Sequence, residues 1–595
     1  MASIPVANKP NPITIDKFLG LNSAETSETQ LALGEASEMK NIRVVEGYKI
    51  ESVDGYENTL ETEEDVISLF QCKVKDEEML IYQLGNGDIY KRVNDVDTKI
   101  NGEFVASKAT FIGFEDKLYI LDGNEYYEYD GTTFKVVEGY VPLVAIGTEP
   151  SGGGTDFEGI NLLSNKRHQT FSPDGTAKEF VIRETKVASI DKVLVNGEEA
   201  TEITKDIENG KVTFSVAPTK AVDNVDIYWT VNDEESRKLV TRNKYMMLYG
   251  SSNDTRIFIY GDSENKNRFR YSDLGNGELR GDYFPTTNFK DEGASNYAIT
   301  GLVKHYDRLV VLKENELRYA EYSDLTTTNT TGDTVTIPSL ASYPLNSTVG
   351  NIPMAQVGVL DNFPIAIGNK GMYQIVQSNV RAESNVQFIS QRVQNILDGM
   401  DLTKVITYDY ESKHEYWIIE DKTVLVYNYE LNVFYKFELS DNVLSIIEYN
   451  KDLYFGTNKG LMRFDSEIKT FNGQTIESEW IMGYYNFGHE IKRKMLTRLY
   501  VSCQPYLNSN IDIEIETDRG LNSQQYAIDV LMANFFDVNF NRFSFDTIYN
   551  PKPRRIKAKA KKFVYLRLKI KNKEWKTKFK ILSIAMQWSL GGETK

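Results

Sequence analysis

Short apolar stretches separated by polar turns recur along the chain in a fixed order: an apolar strand, a polar hairpin tip, a Leu-Tyr-like strand and a Tyr-rich strand. The clearest copy is Ala109–Phe114, Glu115–Lys117, Leu118–Leu121 and Tyr126–Tyr129. A second is Leu444–Tyr449, Asn450–Asp452, Leu453–Gly456 and Leu461–Phe464. One such sheet cannot cover its own apolar face, so copies must stack, and radial stacking into a propeller leaves only short edges exposed.

Looser copies follow the same order of elements without sequence identity. They span Val66–Lys91, Tyr245–Ser272, Gly301–Tyr319, Val357–Val376 and Val405–Tyr429. With the two clear copies they predict a β-propeller of about seven blades, spaced within the range usual for blades apart from one long interruption. The alternative is a set of unrelated meanders, because alternating Tyr and Val mark any antiparallel sheet.

The places where the repeat starts, breaks and stops divide the chain. Glycines in Ser151–Thr155 indicate a flexible linker that leads into an inserted β-sandwich-like module, and the repeat ends near Thr475, where a C-terminal β domain with basic strands begins. The predicted segments are an N-terminal arm with the first strands at 1–60, propeller parts at 61–149 and 236–475, the inserted module at 150–235 and the C-terminal domain at 476–595.

The first 60 residues are typical of an extended arm, since prolines near the N-terminus favour extended backbone. Phe18, Leu19 and Leu21 are its apolar anchors, and we expect them to find contacts on the propeller or on a neighbouring subunit, which makes them candidates for an assembly arm. Two short helices are predicted, at Leu31–Asn41 and at Ser390–Leu397.

Composition agrees with a mainly β protein of several domains. The 595 residues exceed one ordinary core, and 36 tyrosines and 29 phenylalanines favour strands. A formal charge of −18 argues against wholesale wrapping of nucleic acid. The two cysteines, Cys72 and Cys503, form no disulfide framework and no metal-binding spacing, so buried thiols are expected. The N-terminus has no secretory signal, and no transmembrane span is predicted.

One segment has the opposite charge to the rest. Between Lys552 and Lys580 there are 14 Lys or Arg residues against one acid, Glu574. Within Arg555–Lys561, strand alternation places Lys and Arg on one face and Ile and Ala on the other. This face is either solvated, in contact with another subunit, or in contact with DNA phosphates. The candidate contact residues are Arg554, Arg555, Lys557, Lys559, Lys561 and Lys562.

No pattern of residues indicates catalysis, a cofactor or a metal site. The four histidines share no ligand spacing, and no phosphate loop or nucleophile elbow is present. Ser172–Thr176 lacks the spaced Gly and the Trp of a sialidase Asp box. We therefore expect a protein that is not an enzyme.

Both ends of the chain and its insertion resemble one known family. Phe18-Leu19-Gly20-Leu21-Asn22, the stretch from Leu31 to Ile42 and Asp54-Gly55-Tyr56 are similar to the start of phage tail tubular or nozzle proteins, also called packaged-DNA stabilisation proteins. Val195-Asn196-Gly197 and the stretch from Gly210 to Pro218 resemble a β module of phage tail proteins. The segment from Glu479 to Asp518 resembles their C-terminal part.

The resemblance implies a structural component of a virion tail, assembled in the host cytoplasm. Such a protein forms a ring, commonly a homo-hexamer, that encloses the DNA exit channel, retains packaged double-stranded DNA and permits its ejection. Its implied partners are itself, the portal and adaptor proteins of the head-to-tail connector, and other tail proteins or fibres. Two rival functions stay open: a receptor-binding or glycan-binding tail or baseplate protein, and a polysaccharide-degrading tail protein.

Overall fold

The computed structural model is mainly β and describes residues 10–24, 28–101, 107–251, 254–328, 334–376, 385–504, 509–519, 524–530, 552–558 and 560–593. It divides into two compact units. The first comprises Met1–Leu69, Ile352–Gln377 and Ala382–Lys595, and the second has Phe70–Asn351 as its main segment. Helices in the described residues are short, at Glu235–Thr241 and Gln394–Asp398, with 3₁₀ turns at Gln391–Val393 and Glu411–Lys413.

The second unit contains repeated four-stranded antiparallel sheets, which we number I to IV. The boundary between the two units falls within the first strand of sheet I, between Leu69 and Phe70. Sheet I has strands Val66–Val74, Glu77–Leu84, Ile89–Val93 and Val96–Lys99. Sheet II has Thr110–Phe114, Lys117–Leu121, Tyr126–Tyr129 and Phe134–Val136. Sheet III has Tyr245–Ser251, Asp254–Tyr260, Arg268–Tyr271 and Phe289–Asp291. Sheet IV has Ile299–His305, Arg308–Lys313, Leu317–Thr328 and Thr334–Asn346. A separate small hairpin pairs Leu274–Gly275 with Glu278–Leu279.

The first unit contains three further sheets of this kind. Sheet V has Val359–Leu360, Phe363–Gly368, Gly371–Ile375 and Val386–Phe388. Sheet VI has Ile406–Tyr410, Glu415–Glu420, Thr423–Asn428 and Val433–Glu438. Sheet VII begins with Ser445–Tyr449, Asp452–Thr457 and Gly460–Asp465. Its fourth strand, Gly55–Glu61, comes from the N-terminal part of the chain. A hairpin of Thr470–Phe471 and Gln474–Thr475 follows beside this strand. Each of the seven repeats found in the sequence thus falls on one of these sheets.

Tight hairpin turns explain why the repeated strands can be recognised in the sequence. Two-residue hairpin turns match the twist of their strands when both central residues have positive φ, which Asn and Asp tolerate. Glu115 and Asp116 have φ of 46° and 57°, and Asn450 and Lys451 have φ of 53° and 70°. These polar tips therefore set the register of the strands around them locally.

The two ends of the chain form one pair of sheets in the first unit. One sheet contains Asn11–Ile15, Ile42–Val45, Lys49–Ser52, Lys492–Gln504, Lys552–Ile556, Ala560–Phe563 and Lys580–Glu593. The other contains Ala36–Lys40, Ser478–Met482, Ser509–Thr517, Gln524–Val530 and Leu566–Asn572. The predicted division between an arm at 1–60 and a domain at 476–595 thus separates strands that share hydrogen bonds.

The helix predicted at Leu31–Asn41 is wrong, because Ala36–Lys40 is a strand paired with Ser478–Met482. Ala36 and Met39 are buried on one side while Glu38 is exposed, so burial against the C-terminal strand overrides helix propensity. The helix predicted at Ser390–Leu397 is confirmed by the 3₁₀ turn and α-helix at Gln391–Asp398.

The insertion forms two sheets around its own apolar cluster, which includes the buried Phe171, Phe180 and Trp229. One sheet contains, in order, Thr155–Asp156, Leu143–Thr148, Lys166–Phe171, Val225–Thr230, Ser189–Val195 and Glu198–Glu199. The other contains Glu179–Val181, Lys211–Phe214 and Ile203–Asp206. The module begins at Leu143 rather than at 150, because Leu143–Thr148 is a strand of its first sheet. The predicted linker Ser151–Thr155 belongs to a hairpin in which Ile146 pairs with Thr155.

Asn161 ties this module to the neighbouring sheets of the second unit. Its side chain is buried, and its amide donates to the backbone oxygens of Tyr140 at 2.8 Å and Asp282 at 2.9 Å. Its carbonyl accepts from the backbone N–H groups of Leu163 at 3.1 Å and Phe284 at 3.0 Å. Leu163 lies in the core shared with sheets II and III, so the inserted module contributes side chains to the core of its neighbours.

We expect Asn161→Leu to lower the free energy of unfolding by about 2 to 3 kcal/mol, since the apolar side chain leaves four backbone groups without their partner. Thermal unfolding followed by tryptophan fluorescence measures this loss. Asn296→Leu is the matched control, because Asn296 is exposed and its replacement should stay within about 0.5 kcal/mol of the parent. Equal midpoints for the two variants would contradict the anchoring role.

Candidate functional site

The basic segment is built on one edge of the large sheet made by the two chain ends. Lys552–Ile556 and Ala560–Phe563 both pair with Lys492–Gln504, in a register that sets Arg555 opposite Tyr500 and Lys561 opposite Met495. This placement brings the predicted contact residues together along one long strand.

Alternation along this edge is as the sequence indicated. Ile556, Ala558, Ala560 and Phe563 are buried. The exposed side chains are Arg554, Arg555, Lys557, Lys561 and Lys562, which we call the basic strip. Lys559, the sixth predicted residue, lies outside the described residues.

Five other cations of this segment, Arg567, Lys569, Lys571, Lys578 and Lys580, have acidic partners within the first unit. Arg567 and Lys569 lie 2.9 Å and 2.7 Å from Glu516, and Lys571 lies 3.0 Å from Glu479. Burial of Glu516 acts to raise its pKa, but hydrogen bonds from Arg567, Lys569 and Tyr484 lower it to about 2. The pairs of Arg567, Lys569 and Lys571 therefore link neighbouring strands of one sheet.

Four residues of the basic strip differ from these paired cations. Arg554, Arg555, Lys561 and Lys562 form no ion pair with any residue that the structure describes. Within a chain of net charge −18, an exposed row of cations on a rigid strand is a place where a negatively charged surface is attracted.

The predicted assembly arm has a different place. Phe18 and Leu21 are 0% and 2% exposed, while Leu19 is half-buried. The ring of Phe18 packs edge-to-face on Trp480 at 5.4 Å, and the Leu21 N–H donates to the backbone oxygen of Phe434 at 2.7 Å. Phe18 and Leu21 are therefore core residues of the chain itself, and neither side chain is exposed to a neighbouring subunit.

Close packing holds the arm in this position. Asn11–Ile15 pairs with Lys580–Glu593 over its whole length, from Asn11 opposite Trp588 to Ile15 opposite Ile584. Gly20 has φ of 76°, and a Cβ there would lie 2.6 Å from the backbone oxygen of Phe434, so only glycine fits. The apolar anchors gained their partners within the same chain because the C-terminal strands lie beside them.

A buried charge cluster, which the sequence did not indicate, joins three separate parts of the first unit. Arg43 lies 3.0 Å from Asp54 and 3.0 Å from Glu415, and its side chain is 6% exposed. Lys413 and Lys578 each bind one oxygen of Asp54, at 2.7 Å and 2.8 Å. We call these five residues the Arg43 cluster.

Glu415 is the most enclosed member of the Arg43 cluster. Its oxygens also accept hydrogen bonds from the Tyr435 hydroxyl at 2.8 Å and the Trp417 indole N–H at 2.9 Å. The carboxylate thus has a donor on each oxygen, as a buried charge requires.

The pKa values in the Arg43 cluster follow from burial and pairing. Burial acts to raise the pKa of Asp54, but the charges of Arg43, Lys413 and Lys578 hold it well below its usual range. Burial lowers the pKa of Lys413, with Arg43 adding to the effect. Because the folded-state pKa of Asp54 is depressed, its contribution to stability is complete above the unfolded pKa of about 3.9 and is lost as the pH falls below it.

A cavity of about 250 Å³ lies beside the Arg43 cluster, lined by Arg43, Asp54, Lys413 and residues of sheets VI and VII. Every charged member of the cluster already has a charged partner in the chain. The arrangement stabilises the junction of the N-terminal strands, sheet VI and the C-terminal domain rather than offering a reactive group. The Arg43 cluster could not be predicted from the sequence because Arg43 and Glu415 are 372 positions apart.

Groups suited to catalysis are not assembled in the part of the chain that the structure describes. Among these residues, no three His, Cys, Asp or Glu side chains are placed to hold a metal ion. Cys72 and Cys503 are buried, and burial raises the pKa of each thiol to about 12. None of the helices described is long and apolar enough to cross a bilayer.

The described residues define a mainly β protein built from many small antiparallel sheets. No protein-family model matches the chain, and no curated protein matches it in sequence. Among solved structures it is similar to BamB from Moraxella catarrhalis, over 76% of this chain and 95% of that one, at 9% identity and a TM-score of 0.31. A structure of BBS1N in complex with ARL6DN, soaked with mercury, aligns over 69% of this chain and 96% of that one, at 11% identity and a TM-score of 0.24. Likeness at this distance carries no argument about function.

Proposed function

We propose that this chain is a structural, non-enzymatic component of a bacteriophage tail. In this proposal it forms a ring, the nozzle or tail tube hub, which encloses the DNA exit channel, retains packaged DNA and permits ejection. The observation that carries the proposal is the basic strip, because an exposed row of cations in an acidic chain attracts the acidic surface of a neighbouring identical subunit. The family resemblance of the chain ends and the insertion supports it.

The fold we infer is a seven-bladed β-propeller, with sheets I to VII as blades. Sheets I to VI each have four strands in sequential order, and the first three strands of sheet VII repeat that order, which favours stacked blades over unrelated meanders. The topology of sheet VII adds support, since its outer strand Gly55–Glu61 precedes sheet I in the chain by only a few residues. A last blade completed by an N-terminal strand closes a circular array and removes one free edge.

The partners follow from the proposed place in the virion. The chain contacts itself in a ring, commonly a hexamer, the portal and adaptor proteins above it, and other tail proteins or fibres. Double-stranded DNA passes through the channel. We assign the basic strip to the contact between subunits rather than to DNA, because tight phosphate binding would slow ejection.

The test of the proposed function is a charge reversal in the basic strip. We expect the triple variant Arg555→Glu, Lys557→Glu and Lys561→Glu to remain folded, since all three side chains are exposed, but to weaken ring formation at least about tenfold, because it brings like charges together. Ring formation is measured by mass photometry and by counting rings in electron micrographs. The effect should be largest in dilute salt, since the Debye length is about 10 Å at 0.1 M and 3 Å at 1 M.

The matched control reverses Lys186, Lys192 and Lys220 to Glu, which changes the net charge equally at exposed positions in the inserted module. This control should form rings as the parent does. If the strip variant also assembles as well as the parent, the basic strip is not a subunit contact. Loss of double-stranded DNA binding in filter assays, with ring formation unchanged, would reassign the strip to DNA.

A further inference from the structure

A cleft in the second unit lies between sheets III and IV. Its volume is about 660 Å³, within the range of roughly 300 to 1,000 Å³ usual for sites that bind small molecules. The lining combines tyrosines with charged and amide side chains, and its aromatic members are Tyr249, Tyr271, Tyr306 and Tyr322. We call it the tyrosine cleft.

Its rings are held at different depths. Tyr249 is 3% exposed and lies parallel to Tyr322, with ring centroids 6.0 Å apart. The Tyr249 hydroxyl donates to the backbone oxygen of Asp307 at 2.7 Å, which ties sheet III to the turn of sheet IV. Tyr322 and Tyr306 are 37% and 66% exposed, so two aromatic rings remain accessible at the cleft.

Tyr306 occupies a position that its side chain disfavours. It lies in the two-residue turn between Ile299–His305 and Arg308–Lys313, with φ of 57°. Glycine and asparagine adopt this left-handed conformation readily, whereas a bulky residue there is strained. Strained backbone at an exposed aromatic residue is typical of binding sites, where the side chain matters more than the turn.

The polar groups of the cleft are fixed before any ligand arrives. Arg256 lies 2.7 Å from Asp254 and 2.8 Å from Asp273, and the Asn288 amide donates to Asp273 at 2.8 Å. Such a network holds carboxylate and amide oxygens at defined places along the wall, where they can accept further hydrogen bonds.

The lining of the cleft carries four carboxylates and two cations, Arg256 and Lys304, so its formal charge is −2. Of its four carboxylates, Asp254 and Asp273 are paired with Arg256, and Glu321 lies 2.9 Å from Arg308. Lys304 adds one cation, and its ammonium donates to the backbone oxygen of Gly250 at 3.0 Å. This negative charge disfavours a polyanion, and the pairing of three carboxylates with Arg256 and Arg308 limits the attraction of a strongly cationic peptide.

We propose that the tyrosine cleft binds a neutral oligosaccharide. The apolar face of a pyranose ring stacks on an exposed tyrosine, and its hydroxyl groups donate to the carboxylate and amide oxygens and accept from the cations. Tyrosine suits this role because it supplies a rigid amphipathic surface at low cost in conformational entropy. This inference does not depend on the proposed ring, since every residue that carries it lies within one unit of one chain.

The experiment screens the full chain on a printed array of neutral and acidic glycans and then measures affinity for each neutral hit by calorimetry. The decisive variant is Tyr306→Asn, because asparagine is favoured at positive φ and replaces the phenol ring by a small amide that offers no stacking surface. We expect the parent to bind at least one neutral glycan and Tyr306→Asn to lose at least about tenfold in affinity, which corresponds to about 1.4 kcal/mol. Tyr306→Phe, which keeps the ring, should bind nearly as the parent does.

Tyr297→Asn is the matched control, because Tyr297 is 38% exposed and does not line the cleft, so its replacement should leave affinity unchanged. Thermal unfolding confirms that each variant is folded. The inference is overturned if the parent binds no neutral glycan on the array, if only acidic glycans bind, or if Tyr306→Asn binds as tightly as the parent.

Discussion

Replacing Arg43 with methionine is expected to lower the free energy of unfolding of the first unit by about 3 to 5 kcal/mol. The variant keeps much of the side-chain volume but leaves Asp54 and Glu415 buried without the guanidinium that lies 3.0 Å from each. Removal of one partner from a buried ion pair costs this much because the remaining charge stays desolvated. Urea unfolding followed by tryptophan fluorescence measures the change, with Trp417 beside the altered site.

Lys40→Met is the control for the loss of an ion pair at the surface. Lys40 lies 3.1 Å from Glu438, and their side chains are 31% and 38% exposed. Pairs of this kind contribute about 1 kcal/mol or less because water and salt screen them. If Arg43→Met unfolds at the same urea concentration as Lys40→Met, the Arg43 cluster does not hold the N-terminal strands in place.

Phe18→Ala is expected to destabilise the first unit by about 3 to 5 kcal/mol, the usual cost of removing a buried phenylalanine ring. Phe18 is fully buried and packs on Trp480, so its loss leaves a cavity between the arm and the C-terminal strands. Urea unfolding measures this change as well.

Leu19→Ala is the matched control, because Leu19 is half-buried in the same segment, and it should cost about 1 kcal/mol or less. The pair also separates the two roles considered for the arm. If Phe18 anchored a neighbouring subunit instead, Phe18→Ala would weaken ring formation and leave the unfolding of the protomer unchanged. That outcome would contradict the place of Phe18 in the core.

The repeat of sheets I to VII could be recognised in the sequence because residues close together in the chain determine it. In each sheet the first strands are adjacent in sequence and joined by hairpin turns, so turn residues such as Asp116 and Asn450 set the register within a few positions. The alternation that exposes Arg555 and Lys557 and buries Ile556 is local in the same way, since side chains along a strand point to opposite faces.

What remained hidden were the contacts between distant parts of the chain. The sequence pattern around Met39 is compatible with a helix, and only the C-terminal strand paired with it makes it a strand. Phe18 is equally apolar whether it meets a neighbouring subunit or Trp480 of its own chain.

By itself, then, the sequence determined a mainly β chain with a repeated four-stranded unit, an alternating basic edge and no local catalytic motif. The tertiary structure alone decided that Gly55–Glu61 completes sheet VII, that the arm lies in the core, and that Arg43, Asp54 and Glu415 meet. The physical reason is that strand periodicity and turn geometry act over a few residues, whereas strand partners and buried ion pairs are chosen by the burial that the whole chain achieves at once.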